Sequence, residues 1–311
     1  MNTEYFMSIK IIAIVVTYFP ERDLLNKNLL AFINDVDKVL IWENTPESEK
    51  FQYRYINHAK IEYCGDGINS ISHALNYAWK YAVSKGYDYL LTMDQDSVWV
   101  NFNGFLQKTV RDANSPKGIW GPAIVTNDNG SSLENNIIET DITITSGMLL
   151  HIDLINKIKG WNERFCIDCV DNEFCLKAKL MGVSIYQFRF SCTYLMQRYG
   201  HPRIVHIGKY YATLREDSYS RLYSIYKSHI MLFRLFPEFK KYRSDFKLHW
   251  VKKIKWVMIY EKDRFRKLAA IVKGIIEGLN CELEEYSQFT DKKKERWVDK
   301  IAICKDLFWG R

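Results

Sequence analysis

The sequence predicts an α/β fold: a doubly wound, mostly parallel sheet with a C-terminal helical extension. Three observations carry that reading. Short β-branched runs alternate with stretches of helical spacing through the first half of the chain. The segments between them are long enough for crossover connections. From about Arg215 the periodicity is helical to the end. At 311 residues the chain accommodates an α/β domain over 1–214 and a basic, aromatic-rich helical region over 215–311 packed on it.

Residues 9–16 form a β-branched run suited to a buried parallel strand, followed by a loop ending at Pro20 and helical spacing over 23–32. A second strand over 39–42 closes in Glu43-Asn44-Thr45-Pro46, and 61–63 is a short third. Asn69, Ser70 or Ser72 caps a helix through Ala74, Leu75, Ala78 and Ala82 that ends near Gly86. The fourth strand spans 87–93. A helix near 104–112, a strand over 119–125 and a polar loop over 126–136 follow. A strand-like segment, 142–145, then runs into 146–150, before a helix over 170–181 and a strand over 183–190.

The stretch Met93-Asp94-Gln95-Asp96-Ser97 ends the fourth strand with two carboxylates that an extended backbone points the same way. Such a pair suits a hard cation, since Mg²⁺ or Mn²⁺ is usually held by one or two carboxylates plus substrate phosphates. Carboxyl ends of strands are also where ligands sit in open α/β sheets. Two acidic residues closing a strand also occur as a plain solvated turn, so the pair gains meaning from its surroundings.

An apolar content of 47% suffices for a core and excludes global disorder. No window approaches about 18 consecutive apolar residues, so no transmembrane helix is expected. Met1-Asn2-Thr3-Glu4-Tyr5 lacks the basic head and apolar run of a signal peptide, which points to the cytoplasm. Seven cysteines fit reduced thiols. Cys166 and Cys169, with Cys175 nearby, lack the second pair that a structural zinc site needs.

The net charge of +7 is unevenly spread. Between Glu238 and Lys273, twelve basic residues stand against four acidic ones and interleave with Trp250, Trp256, Met258, Ile259 and Phe265. That composition fits a helix lying on an anionic membrane surface, peripheral at the inner membrane face. It fits equally a helix with a core face and a solvated basic face, or a homodimer interface. Nucleic acid is not expected as a partner, because no recognised module accompanies the charge.

In chain order the chemistry-bearing blocks begin with Val16-Thr17-Tyr18-Phe19-Pro20, Trp42-Glu43-Asn44-Thr45 and Ser70-Ile71-Ser72-His73-Ala74-Leu75-Asn76. Asp94-Gln95-Asp96-Ser97 and Thr145-Ser146-Gly147-Met148-Leu149-Leu150 follow. The last is Phe165-Cys166-Ile167-Asp168-Cys169-Val170-Asp171-Asn172-Glu173-Phe174-Cys175-Leu176-Lys177. This order resembles the family-2 glycosyltransferases of the GT-A fold, a Rossmann-like sheet. Within them it is most similar to rhamnosyltransferase-type enzymes of bacterial surface polysaccharide synthesis. The resemblance covers roughly residues 9–235, with a weaker echo over 271–279.

The resemblance implies inverting, metal-dependent transfer of a sugar, rhamnose being the expected one, from a nucleoside-diphosphate sugar to a saccharide or lipid-linked saccharide acceptor. It implies that Asp96, with Asp94, holds Mg²⁺ or Mn²⁺ against the diphosphate, Asp94 alternatively contacting the ribose. Asp171 matches the family's base, Glu173 an acidic position supporting acceptor or base, and Asp168 a frequent family aspartate. A carboxylate-rich helix N-terminus needs no catalysis to account for these residues. Thr17, Tyr18, Glu43 and Asn44 would line the nucleotide. Arg221 would neutralise diphosphate charge or form an ordinary surface ion pair.

Three departures stand out. Glu43-Asn44 replaces the usual Asp-Asn, and Ile68-Asn69-Ser70-Ile71-Ser72 lacks a glycine that permits close backbone approach. The family's metal-ligating His falls, by register, on Gln197; a short insertion would give that role to His206 or His201. His73 and His151 read as packing residues. The alternative function is a sugar-nucleotide-binding scaffold without turnover. A nucleotidyltransferase is disfavoured, because Thr17-Tyr18-Phe19-Pro20 is not a Gly-rich phosphate loop.

Overall fold

The computed structural model describes residues 9–49, 54, 56–125, 133–197, 203–207, 210–214, 216–237 and 240–283; the side chains of 197, 203–214, 240–245 and 247–248 lie outside that description. The chain divides into two compact units, Met1–Cys166 with Val170–Arg198, and Ile167–Cys169 with Tyr199–Arg311.

The first unit is built on β1 (Ile11–Thr17), all seven residues of which are buried. A strand covered on both faces needs apolar side chains on both, which is why its sequence is continuous rather than alternating. It lies between β2 (Lys38–Glu43) and β4 (Tyr89–Asp94), with β3 (Ile61–Cys64) outside β2, all four parallel. Ile11, Ala13 and Val15 share a core with Leu25 and Leu29 of α1 (Arg22–Leu30) and with Phe102 and Phe105 of α3 (Phe102–Lys108). The crossover helix α2 (Ile71–Lys85) packs against β1 and β4. Its cap is Ser70, whose Oγ accepts from the His73 N–H at 3.3 Å, and Gly86 ends it in the left-handed region.

Beyond β4 the sheet becomes mixed. β9 (Met148–His151) runs antiparallel to both β4 and β6 (Ile119–Pro122). β10 (Ile185–Arg189) and β8 (Asn136–Thr140) complete the eight-stranded order β3-β2-β1-β4-β9-β6-β10-β8. A second sheet joins β5 (Ser97–Val100), β11 (Tyr194–Gln197) and β7 (Ile124–Val125). α4 (Ile152–Ile158) and α5 (Val170–Leu180) finish the unit.

Two expected strands differ. The run 119–125 splits at Ala123, whose N–H bonds Phe188 O at 2.9 Å while its carbonyl accepts from Leu195 N at 2.9 Å in the second sheet. Pro122, with no N–H, cannot continue a ladder there. Residues 142–145 are not a strand, because the Thr145 carbonyl and the Ser146 hydroxyl are spent on β4. The strands lie on either side, as β8 and β9.

In the second unit β12 (Arg203–Ile207) pairs antiparallel with β13 (Tyr210–Leu214), and α6 (Tyr219–Leu235), α7 (Lys240–Tyr260) and α8 (Arg264–Asn280) follow. α8 approaches α6 closely through two glycines. A Cβ at 274 would stand 2.5 Å from Tyr223 O, and one at 278 would stand 2.8 Å from Lys227 O. Leu222, Tyr226, Ile230, Phe233, Trp250, Val257 and Ile271 form the core. Beside it Trp250 Nε1 donates to His229 Nδ1 at 2.7 Å, and burial pushes that imidazole down to about 3, so it stays neutral.

The α7–α8 corner is tied by buried Glu261, which accepts from Lys253 at 2.7 Å and Lys267 at 2.9 Å. These lysines also meet Asp217 and Glu216, at 2.7 and 2.8 Å. A buried carboxylate needs such partners, since removing one costs about 3–5 kcal/mol. Among the described residues, no helix is long and apolar enough to cross a membrane. Gly278→Val is expected to lower unfolding free energy by about 2 kcal/mol through overpacking against α6, read from urea unfolding. Val272→Ala, on the exposed side of the same helix, should stay within about 0.5 kcal/mol of the parent.

Candidate active site

The site forms where β4 stops. Asp94 is its last residue, Gln95 and Asp96 make the turn, and Ser97 opens β5, so the two aspartates sit at the carboxyl end of the sheet. The turn is held by neutral groups. The Asp94 N–H donates to Ser146 Oγ at 3.0 Å, and fully buried Asn28 of α1 donates to the Asp94 carbonyl at 2.6 Å. Gln95 clasps the Tyr18 backbone, accepting from its N–H at 2.7 Å and donating to its carbonyl at 3.1 Å. Ser146 reaches the turn because Gly147, at φ +83°, lets the chain reverse beside β4; a Cβ there would stand 2.8 Å from Pro122. The Gly147 N–H donates to Thr92 O at 2.7 Å.

The adjoining floor comes from the ends of β1 and β2. Thr17 Oγ1 donates to Trp42 O at 3.0 Å, Asn44 N to Thr17 O at 2.8 Å, and Trp42 Nε1 to Asn44 Oδ1 at 3.0 Å. Thr17 and Asn44 are therefore buried framework. Tyr18 is half-exposed, edge-on to Phe19 with ring centroids 4.7 Å apart. Glu43 is buried and gripped by Arg54, whose Nε lies 3.0 and 2.9 Å from the two carboxylate oxygens and Nη2 2.5 Å from one. That hydrogen bonding raises the Arg54 pKa.

Asp171 lies in the first turn of α5, near enough to act on Asp94. Glu173, two residues on, turns inward: it is fully buried, 3.1 Å from Lys177, and accepts from Asn162 N at 3.3 Å. Lys177 also donates to Gly160 O at 2.7 Å. Glu173 thus braces α5 against the loop before it. His73, expected as packing, bridges Asp66 at 2.7 Å and Glu163 at 2.8 Å. Glu163 foremost raises its pKa. This ties the loop after β3 to the loop before α5.

In the second unit Arg221 pairs with nearly buried Asp168 at 2.9 Å. Burial pushes the Asp168 carboxyl up despite that guanidinium. His206 lies on β12 across from Tyr211. Its side chain, that of Gln197, and the whole of His201 fall outside the described residues. The backbone of Gln197 does pair with that of Ser97, next to Asp96.

Burial, then the charges of Asp96 and Asp171, push the Asp94 carboxyl up to about 7. Burial also raises Asp96. Neither has a cationic partner among the described residues, where no three His, Cys, Asp or Glu side chains converge to hold a metal. Two carboxylates with an unmet negative potential fit Mg²⁺ or Mn²⁺, which retain positions for phosphate oxygens and water. Sequence reasoning missed the supports. Gln95 and Ser146 lay inside quoted motifs without roles, while Asn28 and Arg54 carried no local signal.

Unfolded Asp94 ionises in the ordinary carboxylate range and folded Asp94 near 7, so folding loses stability as pH rises between those values. Asp94→Asn should therefore raise the melting temperature of the metal-free protein by a few degrees at pH 8 and leave it unchanged near pH 4, measured by scanning calorimetry.

No protein-family model matches the chain. In sequence it is similar to the dTDP-rhamnosyl transferase RfbF of Shigella flexneri, 26% identical over 204 residues that span 58% of this chain and 67% of the relative. In structure it is similar to GalNAc-T7, solved with UDP, GalNAc and Mn²⁺, at a TM-score of 0.56 and 9% identity, over 92% of this chain and 56% of that one. It is also similar to TarS of S. aureus, at a TM-score of 0.50 and 12% identity, over 96% of this chain and 49% of that one. The chain spans about half the length of these two solved proteins. By fold, with a rhamnosyltransferase among its sequence relatives, it is similar to the family-2-like glycosyltransferases of the GT-A fold.

Proposed function

We propose that the chain is an inverting, metal-dependent glycosyltransferase of cell-surface polysaccharide synthesis, moving rhamnose from dTDP-rhamnose to a saccharide or lipid-linked saccharide acceptor in the cytoplasm. The observation that carries the reading is the placing of Asp94 and Asp96 at the carboxyl end of β4, on a GT-A sheet, where the charges of Asp96 and of Asp171 on α5 bear on Asp94. The sequence likeness to a dTDP-rhamnosyl transferase supports the donor.

Asp94 and Asp96 would hold the Mg²⁺ or Mn²⁺ ion, which supplies Lewis-acid stabilisation of the departing diphosphate when bound. The Tyr18 ring offers an exposed face for the base. Glu43 acts at one remove, fixing the orientation of Arg54. Asp171 takes the acceptor proton. The acceptor oxygen bonds to the anomeric carbon from the face opposite the diphosphate, and the carbon–oxygen bond to the diphosphate breaks with its electron pair. The hydroxyl proton passes to a carboxylate oxygen of Asp171. Glu173 and Lys177 keep the first turn of α5, and so Asp171, in place.

The scaffold reading draws on one observation, the lack of a third metal-ligating side chain among the described residues. Both readings are tested together by thermal shift and by turnover with dTDP-rhamnose, with and without Mn²⁺. Asp96→Ala is expected to abolish the metal-dependent stabilisation by donor. Asp171→Asn should keep that stabilisation while turnover falls about 10²- to 10⁴-fold. Parental turnover in both variants would contradict the mechanism, and metal-dependent donor binding without transfer to any saccharide acceptor would favour the scaffold.

A further inference from the structure

The basic C-terminal stretch resolves into two kinds of lysine. Lys253 and Lys267 are consumed by the ion pairs around Glu261 and belong to the interior. Lys252, Lys255 and Lys262 are exposed and form no ion pair among the described residues. At about 100° per residue Lys252 and Lys255 share one arc of α7, about 120° wide, with Val251, Met258 and Ile259, and Lys262 follows in the turn after the helix. Those three apolar side chains are 59%, 52% and 53% exposed. Between Val251 and Tyr260 no acidic residue falls on this arc.

α8 repeats the arrangement. Its glycine face, Gly274 and Gly278, is pressed on α6. The opposite face carries Phe265, Val272 and Ile276, exposed by 81%, 54% and 51%, beside exposed Lys273. Neither helix is apolar enough to cross a bilayer. A second copy of the chain would bring lysine against lysine, whereas an anionic bilayer accepts both the charge and the apolar side chains.

We propose that α7 and α8 dock the protein on an anionic lipid bilayer, with Lys252, Lys255 and Lys262 at the headgroups and Met258, Ile259, Phe265 and Ile276 entering the acyl boundary.

The test is vesicle flotation of the full chain with phosphatidylcholine alone and with about a third phosphatidylglycerol added. The parent should float only with the anionic vesicles and detach as salt is raised. The triple variant K252E/K255E/K262E should partition about a hundredfold less, at roughly one attractive charge per lysine. Phe265→Ser with Ile276→Ser should lose about tenfold. A matched charge change at exposed lysines of the first unit, K27E/K80E/K85E, should leave flotation intact. Three results would overturn the proposal: a parent that stays at the bottom with anionic vesicles, face variants that float like the parent, or control lysines that matter equally. Sedimentation velocity without lipid adds a fourth, a dimer dissolved by the Phe265→Ser and Ile276→Ser changes, which would assign the face to a second copy.

Discussion

Like charges crowded at the end of β4 are the constraint around which the first unit is organised. Asp94 feels burial and the charges of Asp96 and Asp171 together, and each of the three disfavours its ionised form. The groups that hold the turn are an amide from Asn28, a hydroxyl from Ser146 and the amide of Gln95. They fix the backbone without neutralising the carboxylates, so the negative potential is left for something that binds.

The other buried carboxylates are treated differently. Glu43 has Arg54, Glu173 has Lys177, Asp168 has Arg221, and Glu261 has two lysines. Each serves position: Arg54 holds a loop to β2, Lys177 braces α5 on its own entry, Arg221 ties α6 to Asp168, and the two lysines close a corner between helices. The contrast separates carboxylates paired within the architecture from those left without a cationic partner among the described residues, a distinction composition alone does not make. The cost at β4 is carried by β1 and its neighbours, whose fully buried aliphatic side chains contribute about 1.5–3 kcal/mol each.

What was legible in the sequence was whatever a short window encodes. The run 9–16, the Ser70 cap with Gly86 at the far end of α2, and the aspartate pair closing a strand all depend on residues within a turn or two of each other. The rest depends on partners remote in sequence. β5 was missed because four residues after a turn are a strand only when β11, about a hundred residues later, lies beside them. The break at Ala123 follows from two sheets competing for one peptide. Glu43 was read as a nucleotide contact from its motif; Arg54, which bonds both of its oxygens from a loop with no pattern of its own, was not visible there. Glu173 was assigned from a motif match; its burial and its pairing with Lys177 depend on how α5 packs, which the motif does not encode.

The central claim, that the paired carboxylates at the end of β4 are a cation site, is tested most directly by calorimetric titration of Mn²⁺ at pH 7 in buffers of different ionisation enthalpy. Burial and neighbouring charges favour the protonated form of Asp94, so a cation that binds its carboxylate should release protons at pH 7. Asp94→Asn should abolish that release and weaken binding. Mn²⁺ binding without proton release, or unaltered by Asp94→Asn, would contradict it.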